Sequence, residues 1–375
     1  MTQRISPRLV LPLAGLTVAL LPLACGGAPS AEEQTPAAEV GEPVTEEAHE
    51  TEEPREEAAA EAKLSEPHRV WLDVDPALGL EGGEVDDGLF LLQSFHSPEL
   101  SIAGVSVVFG NTSLENAVPI AEALVARFGP AGLQVHPGAA SAEQLGVPTA
   151  ATAAMADALA ESPLTLLAVG PVTNAATLVL EHPELHQQIE RIVVVAGRRE
   201  GQSFRAGTRD VAPFRDFNFE LDPQAMQVLL DTEIPLVMAP WEVSSHVWIR
   251  GADLVDLAAR SEAGAWAAGA VQSWVERWAR DLGTDGFTPF DTLAAGYVTH
   301  PHLIEGFEGR AWIWEDLDDT QPETGVTKPY LYVDPNDDGG RRVTYLFQPH
   351  PDFQPLLLDR IAGAPASVPP GDPAP

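Results

Sequence analysis

Residues 69–95 read RVWLDVDPALGLEGGEVDDGLFLLQSF, and three kinds of segment follow one another within them. An apolar β-type run ends at Leu72-Asp73-Val74-Asp75-Pro76, a Gly-rich loop comes next, and Val85-Asp86-Asp87-Gly88 opens a helical pattern. The alternation continues downstream, with apolar runs at 102–109, 165–169, 191–195 and 234–238 and amphipathic stretches at 88–95, 114–128, 174–180 and 223–230. Strands that are apolar throughout, each followed by a helix, are what a parallel sheet covered on both faces requires. The expected fold is α/β, a mostly parallel open sheet with helices on both faces, in which ligands bind at the carboxyl ends of the strands. Pro-Glu-Leu steps at Pro98 and Pro183 read as recurrent helix-to-strand connections, since no fixed period of tens of residues makes them a solenoid.

Composition narrows the function. With 375 residues, 45% hydrophobic and 21% charged, the chain can bury one large core or two small ones. Its 56 acids against 21 bases give a net charge of −35, which repels nucleic-acid phosphates and anionic lipid, so neither is an expected partner. Only two lysines, Lys63 and Lys328, and no GxxxxGK[ST] element leave little for Schiff-base chemistry or a P-loop. The single cysteine, Cys25, excludes an intramolecular disulfide framework and a CxxC zinc site.

The charge is unevenly distributed. Arg4 and Arg8 precede an apolar stretch at 9–23, the layout of an export signal with a core too short and Pro-broken for a membrane span. Leu23-Ala24-Cys25-Gly26 resembles a bacterial lipobox, although Pro22 stands where leucine is usual. The expectation is a lipoprotein-type signal peptide at 1–25, with Cys25 lipidated and the exported chain held at a membrane of the cell envelope only through that residue. Residues 26–66 carry 13 acids and two bases, Arg55 and Lys63, and almost no large apolar side chain, so they are expected to be an acidic disordered linker. The globular body is expected at 67–363, followed by a Pro/Ala-rich tail at 364–375.

Carboxylates gather where such a sheet binds ligands. Period-2 geometry puts Asp73 and Asp75 on one side of the strand end. Asp86 and Asp87 open a helix facing the same crevice, where the dipole favours anions. Four carboxylates there repel one another unless a cation or protons compensate, and oxygen donors without His or Cys select Ca²⁺ or Mg²⁺ over zinc. The alternative is structural: Asp87 caps its helix and Asp73 bonds a loop backbone.

Further segments follow predicted strands or precede predicted helices: Phe109-Gly110-Asn111-Thr112, Val169-Gly170-Pro171-Val172-Thr173-Asn174, Asp216-Phe217-Asn218-Phe219-Glu220-Leu221-Asp222-Pro223 and Pro289-Phe290-Asp291. In order, DxDP, DD, GN, GPxTN, FNxxxDPxA and a late Asp resemble the inosine-uridine-preferring nucleoside hydrolase family from about residue 70 to 361. The resemblance implies a Rossmann-like sheet in a catalytic domain that hydrolyses the N-glycosidic bond of ribonucleosides with Ca²⁺. Its implied ligands are Asp75, Asp87, Asp291 and the carbonyl of Val169. Asp75 is also the implied general base for the water that attacks C1′. Asp86, Asn111 and Asn218 match residues that hold the ribose hydroxyls, and Asp216 stands where the family usually has Glu. The transition state is oxocarbenium-like, which suits a carboxylate-lined site. Family assembly implies a homodimer or homotetramer.

Three positions depart from the family pattern. The stretch from Asp75 to Asp86 holds ten residues, Pro76 to Val85, a longer Gly-rich loop that can reshape the pocket mouth. Asp210 falls where many members have a sugar-binding Asn, and Phe290 where well-known members have a His thought to protonate the leaving base. Candidates for contacting the base are therefore Trp241, His246 and Trp248, with Trp274 and Trp278 four apart on a helix, although isolated aromatics more often simply pack. Asp334-Pro335-Asn336-Asp337-Asp338-Gly339 copies half of a calcium loop but has Tyr345 at the position of the bidentate Glu, so a hairpin turn between 330–333 and 342–347 is expected. Two rival readings are a DxD-type Mg²⁺ phosphatase using Asp73 and Asp75, and a non-catalytic nucleoside- or sugar-binding lipoprotein on the same fold.

Overall fold

The computed structural model describes residues 66–363; the signal and lipidation expected at 1–25, nearly all of the linker and the tail at 364–375 lie outside the described residues. The strands are β1 (His68–Val74), β2 (Leu100–Val107), β3 (Val135–Pro137), β4 (Leu164–Ala168), β5 (Ile189–Val194), β6 (Leu236–Met238), β7 (Ile304–Leu317), β8 (Thr327–Asp334) and β9 (Arg341–Pro349). They form one sheet in the order β3-β2-β1-β4-β5-β6-β9-β7-β8, parallel from β3 through β9 and antiparallel where β7 meets β9 and β8. The chain runs outward from β1 to β2 and β3, then returns to the other side of β1 as β4. That reversal leaves a crevice at the carboxyl ends of β1 and β4, the ligand position of Rossmann-like sheets.

Helices cover both faces, as the continuous apolar strands demand. α1 (Asp86–Phe95), α2 (Leu114–Phe128), α3 (Ala150–Glu161), α4 (Thr173–Glu181), α5 (Phe217–Leu221) and α6 (Pro223–Leu230) belong to the first half of the sheet. α7 (Trp241–Ser244), α8 (Gly251–Arg260), α9 (Glu262–Ala270), α10 (Gln272–Leu282), α11 (Thr292–Thr299) and α12 (Phe353–Ala362) follow. Successive residues of β1 point to opposite faces: Val70, Leu72 and Val74 join the core under α1, α2 and α8 to α12, whereas Trp71 joins the core under α3, α4 and α6. Among the described residues no helix is long and apolar enough to cross a membrane.

The expected segments correspond closely to the elements formed. α2 and α6 have the expected bounds; the strand read at 102–109 forms two residues earlier at both ends, and the one read at 234–238 starts two residues later. β3 was not legible, because a three-residue strand carries no periodicity. The hairpin expected at 334–339 is not formed: β7 is long enough to pair with β8 along its second half and β9 along its first, on opposite edges. The loop therefore carries the chain past β7 from one edge to the other. Its Asp334 and Asp337 accept hydrogen bonds from the backbone N–H of Asn336 and Gly339, as turn-forming aspartates do.

Gly104 of β2 lies against the Trp71 indole, where an added Cβ would sit 2.3 Å from a ring carbon. Gly104→Ala is expected to lower the unfolding free energy by about 1–3 kcal/mol through overpacking, measured by urea denaturation. A change within about 0.5 kcal/mol, the range of an ordinary surface substitution, would contradict this packing.

Candidate active site

Asp75 emerges from β1 into the crevice and is 1% exposed. Two glycines make room for it. A Cβ on Gly110 would lie 2.0 Å from Asp75 Oδ2, and one on Gly170 2.6 Å from Oδ1. The GN and GP steps of the sequence thus permit two loops to close over one carboxylate. The backbone N–H of Asn111 donates to Asp75 Oδ2 at 2.7 Å, while Oδ1 has no partner.

The N-terminus of α1 supplies the next carboxylates. Asp87 does not cap its own helix: its Oδ1 accepts from the backbone N–H of Asp75 at 2.8 Å and its Oδ2 from Asn111 Nδ2 at 3.0 Å. Asp86 Oδ1 accepts from the Asp87 N–H at 3.1 Å, and Glu84 Oε2 from the Asp86 N–H at 3.0 Å. Asp291, at the start of α11, completes a group in which oxygens of Glu84, Asp86, Asp87 and Asp291 all lie within 4.8 Å of one another. None of these four, nor Asp75, has a salt-bridge partner among the described residues.

Burial, then mutual repulsion, raises the pKa of Asp75, Asp86 and Asp291 well above the carboxylate range, and burial raises Asp87 to about 6. The donors are all oxygen, two of them, Asp75 Oδ1 and Glu84 Oε1, are buried without a partner, and no His or Cys is among them. That set fits a hard divalent cation, which the cluster can bind.

Asp73 stands apart from this group. Its Oδ1 accepts from Ser106 Oγ at 2.5 Å and Asn174 Nδ2 at 2.8 Å, and burial lifts its pKa to about 7. Ser106 in turn accepts from the Trp71 indole N–H, and Asn174 Oδ1 accepts from the Ala139 N–H, so a buried polar chain braces the site from behind. The other oxygen of Asp73, Oδ2, is buried without a partner.

The cluster opens into a cavity of about 510 Å³ lined by Glu84, Asp86, Asn111, Val169, Asp216, Asn218 and Asp291 on its polar side. Asp75 and Asp87 lie beneath this lining. Asn218 donates through Nδ2 to the carbonyls of Val169 at 2.6 Å and Val195 at 3.2 Å. Asp216 Oδ2 accepts from the Gly197 N–H at 2.9 Å, and burial raises its pKa to about 6. Asp222 of the same motif is structural: it caps α6 and accepts from Thr173 Oγ1.

Aromatic rings form the other wall: Phe204, Phe214, Trp241, Trp274, Trp278 and Phe290. Trp241 lies 5.3 Å from Phe290 and 5.2 Å from Phe214 between ring centroids, and Trp274 lies 6.0 Å from Trp278. Of the expected base contacts, Trp241, Trp274 and Trp278 are in the wall. His246 is not: α7 is a single turn, and beyond it the chain leaves the cavity with His246 exposed. Trp248 backs the wall, edge-on to Trp278 with its N–H on the Ser245 carbonyl. Asp210 is exposed and outside the lining, so it brings no charge to the site. Glu84, Phe204 and Phe214 were not foreseen as site residues. Glu84 carried a faint signal, its place in the lengthened Gly-rich loop, and the two phenylalanines carried none.

Fold and site together define an α/β protein that can hold a hard cation and a small molecule at the carboxyl edge of its sheet. The chain belongs to the inosine-uridine preferring nucleoside hydrolase family, whose model matches residues 70–340. The pyrimidine-specific ribonucleoside hydrolase RihA of Salmonella dublin is 32% identical over 215 residues, covering 49% of this chain and 64% of the relative. RihA of an Enterobacter species is also 32% identical over 215 residues, 49% of this chain and 63% of its own length. The chain thus spans just under two thirds of the length of these curated relatives. Among solved structures, a plant nucleoside hydrolase, PpNRh1, superposes with a TM-score of 0.65 at 20% identity, covering 80% of this chain and 100% of its own. A purine-preferring ribonucleoside hydrolase from Gardnerella vaginalis gives 0.62 at 20% identity, over 79% and 98% of the two chains. Both share the fold.

The raised carboxylates set the pH response of the metal-free protein. With Asp73 at about 7 and Asp87 and Asp216 at about 6, against an ordinary value of 3.8, the folded chain holds protons that the unfolded chain has released. Their contribution is complete below the ordinary value and is lost as pH rises through the folded values. His136 and His300, held low by partial burial, act oppositely but are only half-buried. In chelator, the Tm is therefore expected to fall between pH 5.5 and 8, and a divalent cation to flatten that fall; a Tm that rises with pH in chelator would contradict the cluster.

Proposed function

We propose that the chain hydrolyses the N-glycosidic bond of ribonucleosides in a Ca²⁺-dependent reaction, releasing ribose and free base. The observation that carries this is Asp75: a buried carboxylate with one oxygen tied to Asn111 and the other unpartnered, beside the acidic cluster under an aromatic cavity. Asp75, Asp87, Asp291 and the Val169 carbonyl would hold the cation. Bound there, Ca²⁺ would supply Lewis acidity to the attacking water and the ribose hydroxyls and offset the repulsion among the acids.

The protein groups divide the remaining work. Asn111 fixes Asp75 Oδ2, which leaves Oδ1 to take a proton from water as general base. Asn218 spends its amide protons on two backbone carbonyls, so its Oδ1 remains to accept from a ribose hydroxyl. Asp216, pinned through Oδ2 by Gly197, offers its other oxygen similarly, and Asp86 lines the same side. The carboxylates favour the oxocarbenium-like transition state electrostatically. The base would lie against Trp241, Trp274, Trp278 and Phe290, which hold it by stacking and exclude water.

Among the described residues the lining contains no histidine, so on this reading base departure would not use an imidazole acid. The same feature supports the second reading, a non-catalytic nucleoside-binding protein on this fold. Export with a membrane anchor at Cys25, and assembly as a homodimer or homotetramer, complete the proposal on the strength of the sequence.

A panel of purine and pyrimidine nucleosides assayed for free ribose separates the readings. Hydrolysis lost in chelator and restored by Ca²⁺ is expected, with Asp75→Asn lowering kcat by roughly 10²–10⁴-fold. Binding without ribose release, unaltered by Asp75→Asn, would establish the binding protein instead. For the anchor, Cys25→Ser is expected to move the protein from the membrane to the soluble fraction on cell fractionation; wild-type protein already soluble would refute lipidation.

A further inference from the structure

Loop 76–85, longer than the family pattern, ends in a carboxylate that the resemblance assigns to nothing. Glu84 is fixed through Oε2 by the Asp86 N–H, while its Oε1 is buried without a partner. Its carboxylate lies within 4.8 Å of those of Asp86, Asp87 and Asp291, and Asp75 Oδ1, fully buried beside the same group, is also unpartnered.

The loop that delivers Glu84 is built, not slack. The Leu80 N–H donates to the Ala77 carbonyl at 3.1 Å and the Gly83 N–H to that of Leu80 at 3.0 Å. A Cβ on Gly83 would meet the Ala77 carbonyl oxygen at 2.5 Å, so the turn closes only with glycine there. Two bonds fasten it to α10: the Gly82 N–H reaches Ser273 Oγ at 3.3 Å, and Arg277 Nη1 donates to the Gly82 carbonyl at 2.8 Å. Arg277 is thereby engaged with the loop backbone and with Asp281, and forms no salt bridge with Glu84.

Adding a carboxylate to a crevice that already holds the buried Asp75, Asp86, Asp87 and Asp291 costs stability through repulsion. A shared cation offsets that repulsion without the carboxylates having to hold protons, and ligand charge is what tunes the affinity of oxygen-lined cation sites. We propose that loop 76–85 contributes Glu84 as a further anionic ligand of the cation, tightening its retention when no nucleoside is present. This rests on the reading above that the site holds Ca²⁺.

The test titrates Ca²⁺ calorimetrically into chelator-stripped protein. Glu84→Gln keeps an acceptor for the Asp86 N–H and removes the charge, and it is expected to weaken Ca²⁺ binding about tenfold. Glu81→Gln, an exposed charge on the same loop, should leave the affinity within about twofold, since exposed charges are largely screened. Melting adds a readout that a purely structural Glu84 would not give: in chelator Glu84→Gln should melt above wild type, because repulsion is relieved, yet gain less from Ca²⁺. Wild-type affinity in Glu84→Gln, or a lower Tm in both buffers, would overturn the assignment. A wild type that takes up no Ca²⁺ would overturn it together with the cation reading. Weakened Ca²⁺ binding in a protein that releases no ribose would leave Glu84 as a ligand and sink only the hydrolase.

Discussion

Mutual repulsion among buried carboxylates is the constraint around which this molecule is arranged. Asp75, Asp86, Asp87 and Asp291 are each at most 4% exposed, and Glu84 joins them in one crevice. Isolated ions in such surroundings cost several kcal/mol each. The chain compensates in part with backbone and amide donors, Asn111 serving both Asp75 and Asp87. Among the described residues no lysine or arginine forms a salt bridge with the group, although Arg215 and Arg277 line the same cavity. A site that is anionic, buried and oxygen-lined is poised for a hard cation, and the rest of the fold keeps it poised.

The sheet does so by topology. Reversal of strand order beside β1 opens the crevice, Gly110 and Gly170 allow the loops after β2 and β4 to approach Asp75, and α1 brings Asp86 and Asp87 to it by their position in its first turn. Behind the site, Trp71, Ser106, Asp73, Asn174 and Ala139 form one hydrogen-bonded chain across β1, β2 and α4, which fixes the strand ends relative to each other. The aromatic wall comes from segments distant in sequence, Phe214, Trp241, α10 and Phe290, and faces the acidic side across a cavity that Arg215 and Arg277 also line. A nucleoside has the same two-sided character, a hydroxylated sugar and a flat base.

Much of this was legible in the sequence because the polar half of the site is built from local motifs. Asp75, Asp86, Asn111, Val169, Asn218 and Asp291 each sit at an element end, where a short pattern marks both the turn and the ligand-facing residue. The aromatic half was only partly legible. Tryptophans on α10 look alike whether they face core or cavity, and His246 follows a strand in sequence but lies beyond the single turn of α7, exposed and away from the cavity. Glu84 was hidden because its loop has no periodic structure and its position depends on contacts with α10 across the fold. The 334–339 stretch misled for a related reason: local turn chemistry was read correctly, but the partner strand β7 lies elsewhere in sequence.

The central claim is that these carboxylates form one cation site at the floor of the cavity. Anomalous diffraction from crystals soaked with Mn²⁺ as a stand-in for Ca²⁺ tests it directly. The account predicts a single strong peak enclosed by Asp75, Asp87 and Asp291, next to the Val169 carbonyl and Glu84. A peak at the exposed Asp334–Asp338 loop with none in the crevice would contradict it.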